Sequence, residues 1–318
     1  AQLRIEAARA HARWCLQHFA AIEERTGRVE NQQLLQGIAP IAREIEAALH
    51  RALTDRDLTA QGFELCWNAS RYWLAAGCIT EVYRWCEAFL DTGRGDDLWR
   101  MRLFAVLSRA AYTQGRIHQM EAYALQGLPL AGNDHIRRGA LFNFLGIAAK
   151  QRGDAESATG HFHNSREANR QAGNRRGEAI AIASLGSVSL DLELDFESAA
   201  ECFEFAVHTF RELGDDLNAL VIESNVVETL ACKGQSEQAL STAERILPEA
   251  RAFDNPLVIL LLLSTFAVAL DYGGHAGRLD AVANEALDLV PRLEPEQYHK
   301  LLELSLIHIS EPTRQAEI

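Results

Sequence analysis

The chain has 318 residues, of which 48% are hydrophobic and 24% charged, with 21 glycines and only 7 prolines. That hydrophobic share supports a packed core and excludes disorder for the bulk of the sequence. Acidic residues outnumber basic ones 44 to 31, giving a net charge of −13, and the lysines are Lys150, Lys233 and Lys300. An acidic chain without a basic run makes a poor phosphate-backbone binder, so no direct nucleic-acid contact is expected.

The sequence begins Ala1-Gln2-Leu3-Arg4, with no Met and no secretory signal, and reads as a fragment. Residues 3–52 carry the pattern of two or three helices; Glu44–Leu49 is the clearest, and Pro40 opens or kinks the helix that contains it. From Thr59 onward two glycine ladders organise the chain. One runs Gly77, Gly115, Gly153, Leu194, Gly234 and Gly274, with steps of 38, 38, 41, 40 and 40. The other runs Gly93, Gly132, Gly173, Gly214 and Asp254, with steps of 39, 41, 41 and 40. A glycine after a helix supplies a left-handed C-terminal cap, and a following Asp or Asn caps the next helix, as in Gly153-Asp154 and Gly214-Asp215.

Between rungs the apolar residues recur at helical spacing, as in Phe196, Ala199, Phe203, Ala206, Phe210 and Leu213. No segment alternates with a period of two. The pattern predicts helical hairpins from Thr59 to about Leu279, with a sixth ending near Leu293. Hairpins that cannot bury a face alone must stack, so the expected fold is all-α, a right-handed α-solenoid. The expected organisation is connector helices over 1–55 and a repeat array of about six hairpins over 56–303. Cys15, Cys66, Cys78, Cys86, Cys202 and Cys232 all fall in helical patterns without a C-x-x-C, and read as buried free thiols. The apolar run from Leu257 to Leu263, broken by Ser264 and Thr265 and extended by Phe266–Leu270, reaches 14 positions. That is short of the roughly 20 a spanning helix needs, so it reads as a buried helix and no membrane contact is expected.

Leu145-Gly146, Gly153-Asp154, Ala158 and Phe162 resemble the tetratricopeptide pattern. Leu185-Gly186, Ala199 and Phe203 repeat it with one residue inserted; Val226-Val227 and Ala243 depart from it. The resemblance implies long, degenerate tetratricopeptide-like hairpins in which small residues let two helices approach and Phe fills the space between hairpins. A second resemblance covers residues 3–90. Arg71–Gly77 and Glu81–Leu90 are similar to the first repeat of large bacterial regulators that join an output domain, a STAND-class ATPase and such repeats. His11–Trp14 and the Glu44–Leu49 helix stand where that family places its ATPase-to-repeat connector, and Val82 stands where it usually has Gly. This resemblance implies a cytoplasmic sensor and scaffold region of a transcriptional or signalling protein. Its partner would be a protein, a peptide or a small anionic effector. A stand-alone adaptor docking a peptide in its groove is the competing reading, and an all-helical enzyme a third.

Catalytic chemistry finds no foothold. The chain has no Gly-Lys dipeptide and hence no Walker A loop. Gly93-x-Gly95 lacks its third glycine, and His161-Phe162-His163 sets two imidazoles on different faces of a helix. Asp96-Asp97 and Asp215-Asp216 sit at hairpin junctions as caps and turns. No cofactor, metal or active site is expected. What remains is a surface. The first helix of each hairpin lines the concave face in tetratricopeptide arrays, and carrying those offsets over gives Trp67, Arg71, Arg109, Asn143, Ser187, Ser224 and Glu228. Tyr112 and Lys150 lie one turn further along their helices. Arg71 and Arg109, 38 residues apart, are expected to bind an anionic group between Trp67 and Tyr112, unless Glu64 or Glu81 neutralises them.

Residues 304–318, from Leu304-Ser305-Leu306-Ile307-His308-Ile309-Ser310-Glu311-Pro312-Thr313-Arg314 to Ile318, resemble translated sequencing-adapter read-through, and are set aside from the fold. With the array cut there, the Leu257–Leu270 helix, apolar on more than one face, is expected to stay exposed and drive self-association.

Overall fold

A computed structural model describes residues 2–26 and 31–292. The adapter-like stretch 304–318 and the end of the sixth hairpin near Leu293 lie outside them. Among the described residues every regular element is helical and none is a strand. Helices α1 (Gln2–Thr26), α2 (Asn31–Ile38) and α3 (Ala42–Thr54) come first, with Pro40 in a 3-10 turn over Ala39–Ile41 that delivers α3. Six hairpins follow. They are α4 (Thr59–Ala75) with α5 (Ile79–Asp91), α6 (Asp97–Thr113) with α7 (Ile117–Gly127), and α8 (His135–Gln151) with α9 (Ala155–Gln171). The rest are α10 (Arg175–Val188) with α11 (Phe196–Glu212), α12 (Asp216–Cys232) with α13 (Ser236–Ala252), and α14 (Pro256–Tyr272) with α15 (Leu279–Leu289).

Every rung of both ladders has positive φ, including the two that are not glycine: Leu194 at 56° and Asp254 at 51°. The turn demands that conformation because the chain must reverse after one helix while its last carbonyls find donors. At Gly153 the amide donates to Lys150 O at 2.9 Å and the Asp154 amide to Ala149 O at 3.0 Å. Leu194 follows a five-residue π-helical turn, Ser189–Glu193, which takes up the residue inserted at that step. A left-handed Leu costs roughly 1–2 kcal/mol, and this side chain is 63% exposed, so little packing offsets it. Leu194→Gly should therefore raise stability by about 0.5–1 kcal/mol, after glycine's larger unfolded-state entropy is subtracted. A urea titration showing no gain would mean that Leu194 holds contacts beyond its exposed position.

The residue after the rung then starts the next helix. Asp154 accepts from Ser157 N at 3.0 Å, Asn174 from Gly177 N at 3.2 Å and Asp195 from Ser198 N at 3.1 Å. Asp215 departs from this expectation: its carboxylate makes no cap bond and instead accepts from Arg176 and Asn218. Hydrogen bonds from Ser157 and Ser198 hold the Asp154 and Asp195 carboxyls below the usual carboxylate range. Their stabilising effect is thus full above that range and is lost as pH falls through the depressed values. Asp154→Asn with Asp195→Asn should destabilise at neutral pH by an amount that vanishes in acid, readable as thermal midpoints across pH.

Two compact units emerge, one from Ala1–Tyr112 with Arg116–Phe144 and one from Thr113–Gly115 with Leu145–Ile318. In the first, one core joins Cys15 and Phe19 of α1 and Ile45 and Leu49 of α3 to Phe63, Cys66, Trp85, Phe89 and Leu107. This core includes residues on both sides of residue 55. Trp85 anchors it: 1% exposed, stacked on Trp73 at 6.4 Å, its indole N–H donating to Glu81 at 3.0 Å.

In the second unit the tetratricopeptide-like contacts are explicit. A Cβ on Gly146 would lie 2.5 Å from the Phe162 ring, and one on Gly186 would lie 2.9 Å from Phe203. The glycine is what lets each ring lie against the facing helix. Helix α14 does not stay exposed as expected. Leu260, Leu262, Leu263, Phe266 and Leu270 are all buried, and α14 packs on α12, α13 and α15. The apolar faces thought to drive self-association are covered. The thiols also divide: Cys15, Cys66 and Cys86 are buried, Cys202 and Cys232 are half-buried, and Cys78 is exposed where α5 begins. Burial pushes the Cys15 thiol up to about 11 and raises Cys66 well above its ordinary value, which leaves both unreactive.

Candidate functional site

Trp67, expected at the surface, gathers cations around it. It lies half-buried on α4, with the Arg102 guanidinium of α6 at 5.8 Å from its ring centroid and that of Arg137 of α8 at 5.3 Å. Both fall inside the roughly 6 Å reach of a cation–π contact. Arg102 also stacks on Trp99, one turn back on its own helix, at 4.6 Å. The three helices are the first helices of consecutive hairpins, and positions 67, 102 and 137 are spaced by 35 residues. The Arg102 Nε is buried without a hydrogen-bond partner. Arg137 stands 3.8 Å from Asp134, whose carboxylate also accepts the Arg137 backbone N–H at 3.1 Å.

The arginines singled out from the sequence occupy other places. Arg71 is half-buried one turn beyond Trp67 and Arg109 is exposed on α6, and each has partners of its own. Glu81, considered as a neutraliser of Arg71, is engaged by Arg84 at 3.2 Å and by Trp85. Tyr112 is half-buried with its ring 6.1 Å from Phe144, and Asn143 is half-buried on α8. Lys150 pairs with Asp191, and Ser187 donates to Ala183 O at 3.2 Å. Glu228 is half-buried and engaged. Ser224 is fully buried and donates to Val221 O at 2.6 Å within its own helix, so it offers nothing to a surface. The offset that serves Ser187 fails there because the third copy has lost its Leu-Gly pair.

The sequence reading missed Arg102, Trp99 and Arg137. The signal was present as the equal spacing of 67, 102 and 137. Steps of about 38–41 follow the turns, whereas neighbouring side chains on tilted helices drift by about one turn per hairpin.

The second unit handles its charges differently. Arg175 pairs with Glu212 at 2.5 Å, Arg176 with Asp215 at 2.6 Å, Arg251 with Glu285 at 2.7 Å and Arg278 with Glu244 at 2.8 Å. A groove of about 870 Å3 lined by α11, α12 and α13 holds Arg211, Glu223 and Arg245. Glu223, 7% exposed, accepts from Arg211 at 2.8 Å and from Arg245 at 2.9 Å. Arg211 also binds Glu249 and Asp216, and the Glu249 carboxylate in particular raises its pKa, so it is charged at every accessible pH. These charges already satisfy one another. Asp96 caps α6 through Trp99 N at 2.9 Å, as expected of a junction acid, and among the described residues no cluster of His, Cys, Asp and Glu could hold a metal ion. No described helix is long and apolar enough to cross a membrane.

The fold is all-α, that of a right-handed α-solenoid of tetratricopeptide-like helical hairpins. Three solved structures illustrate the likeness. A Rap protein complexed with competence and sporulation factor matches at a TM-score of 0.59 and 13% identity, covering 96% of this chain and 99% of that one. The STAND protein with a tetratricopeptide repeat sensor from Pyrococcus horikoshii matches at 0.55 and 14%, covering 97% of this chain and 55% of that one. Aspartyl phosphate phosphatase F from Bacillus subtilis matches at 0.54 and 12%, covering 85% and 78%. No protein-family model and no curated protein matches the sequence.

Proposed function

We propose that this chain is the ligand- and protein-binding repeat region of a cytoplasmic bacterial regulator, acting as sensor and scaffold beside a STAND-type ATPase. It performs no catalysis of its own. The observation that supports it most is the gathering of Trp67, Trp99, Arg102 and Arg137 on the first helices of consecutive hairpins. That surface can recognise a partner, while the junction acids Asp96 and Asp215 serve as a cap and an ion-pair partner rather than reacting groups. The similarity of Arg71–Gly77 and Glu81–Leu90 to the first repeat of STAND regulators supplies the finer reading. The likeness to a STAND sensor of the same fold is consistent with it. In such an array a ligand that prefers one packing of the hairpins shifts the attached ATPase between states.

The stand-alone adaptor remains the second reading, favoured by the structural likeness to a Rap protein complexed with a competence and sporulation factor. Sequencing the coding region upstream of Ala1 separates the two. A nucleotide-binding loop of the form G-x-x-x-x-G-K-[ST] encoded in frame is the expected result; an upstream stop codon without one would overturn the STAND reading in favour of the adaptor.

A further inference from the structure

We propose that Trp67, Arg102 and Arg137 form a carboxylate-binding site, in which the ligand places one carboxylate against the Arg102 guanidinium. The proposal rests on the reading of the array as a binding surface and is independent of which protein carries it.

Arg102 is the anomaly that points to a ligand. Its Nε is buried without an acceptor, and among the described residues no carboxylate lies within ion-pair distance of it. The Nε of Arg9 and of Arg100 are buried in the same way, but Arg9 donates to Asp57 O and Arg100 pairs with Asp97, so of the three only half-buried Arg102 meets no acceptor. In a chain with 13 excess acidic charges such an arginine stands out, since Arg175, Arg176, Arg251 and Arg278 each meet a carboxylate at 2.5–2.8 Å. Arg102 lies over two indoles instead, its Cζ 4.6 Å from the centroid of Trp99 and 5.8 Å from that of Trp67. Its two terminal Nη groups make no hydrogen bond or ion pair among the described residues, and that planar fork matches the two oxygens of a carboxylate.

Charge selects the ligand further. Arg137 shares the same indole at 5.3 Å, and its nearest acid, Asp134, is 3.8 Å away and also occupied in capping α8. Two arginines and one aspartate leave a single positive charge. One carboxylate balances it, whereas a phosphate dianion would leave the site negative. Glu64, one turn before Trp67 on α4, pairs with neither arginine. The half-buried indoles of Trp67 and Trp99 offer apolar surface for the methylenes or peptide chain that carry the carboxylate. That chemistry fits an acidic peptide side chain and a small free carboxylate alike.

The test measures fluorescence anisotropy of a fluorescein-labelled hexaglutamate peptide at low salt, with succinate and inorganic phosphate as competitors. The wild-type chain should bind the peptide, and Arg102→Gln should weaken it by roughly tenfold or more. Arg102→Lys, which keeps the charge and loses the fork, should fall between them. Because Arg102 meets no internal carboxylate and forfeits only its contacts with Trp67 and Trp99, Arg102→Gln should stay folded and melt within a few degrees of wild type, whereas an arginine that holds the fold together would not permit this. Succinate displacing the peptide would assign recognition to the carboxylate alone; peptide binding that succinate cannot displace would assign it to an acidic peptide. Both support the site. Equal affinity of wild type and a folded Arg102→Gln variant would overturn it while leaving the array a binding surface. Phosphate competing better than succinate would overturn the carboxylate assignment, and no binding of peptide or succinate would overturn the site.

Discussion

Phe203→Ala should destabilise the second unit by about 3–5 kcal/mol, the largest single-residue loss expected there. Phe203 is fully buried, and its ring edge lies where a Cβ on Gly186 would be, at 2.9 Å. Truncation therefore opens a cavity that its surroundings cannot refill. Gly186 has no side chain to swing in, and Ala183, Ala199 and Ala206 are the buried neighbours in the same core. The loss should appear as a lower urea midpoint with an unchanged slope, because the surface exposed on full unfolding stays the same. A loss under about 1 kcal/mol would show that the helices collapse onto the gap, and that Gly186 is not a fixed point of close approach.

Glu223→Ala should cost about 2 kcal/mol, less than the 3–5 typical of breaking a fully buried pair. The carboxylate is 7% exposed and bridges Arg211 on α11 to Arg245 on α13. Once it is gone the two arginines differ in fate. Arg211 keeps Glu249 and Asp216, so its charge stays matched. Arg245, whose side chain is 58% exposed, turns to water, which reduces the penalty. Glu223→Gln retains an acceptor for one arginine and should cost less than the alanine. The difference between wild type and Glu223→Ala should shrink only modestly in high salt, since the carboxylate itself is shielded from mobile ions. Denaturation at two ionic strengths reads both quantities, and a difference that salt abolishes would place the bridge at the surface.

The ladder was legible because a helix reversing within a few residues has one common backbone solution. Leu194 and Asp254 could be read into the rungs from spacing alone, and both adopt the left-handed conformation that the position requires. The Gly146–Phe162 and Gly186–Phe203 contacts were legible for a related reason, since a missing side chain and a large one recur at matched places in two repeats. Other features depended on three-dimensional terms that no spacing encodes. The first unit's core runs through residue 55 because α1 and α3 present Phe19 and Leu49 to the helices of the first hairpin. The gathering of Arg102 and Arg137 on Trp67 depended on which turn of each helix faces its neighbour. Ser224 was lost to the interior because, without the Leu-Gly pair to fix the register, an offset wrong by one residue turns a position by about 100° around the helix.

The ion pairs of the second unit also bear on how such an array can change length. Arg211 and Glu249 are 38 residues apart, and Arg251–Glu285 and Arg278–Glu244 are each 34 apart, close to one hairpin of sequence. Inserting or removing a whole hairpin moves both members of a distant pair together and keeps its partnership. A frameshift of one residue within a helix would instead rotate one partner away from the other. Growth by complete hairpins is therefore electrostatically neutral, while smaller insertions must be absorbed where the backbone can widen locally. The turn at Ser189–Glu193, with its i→i+5 geometry and left-handed Leu194, is such a place: an expansion joint between modules.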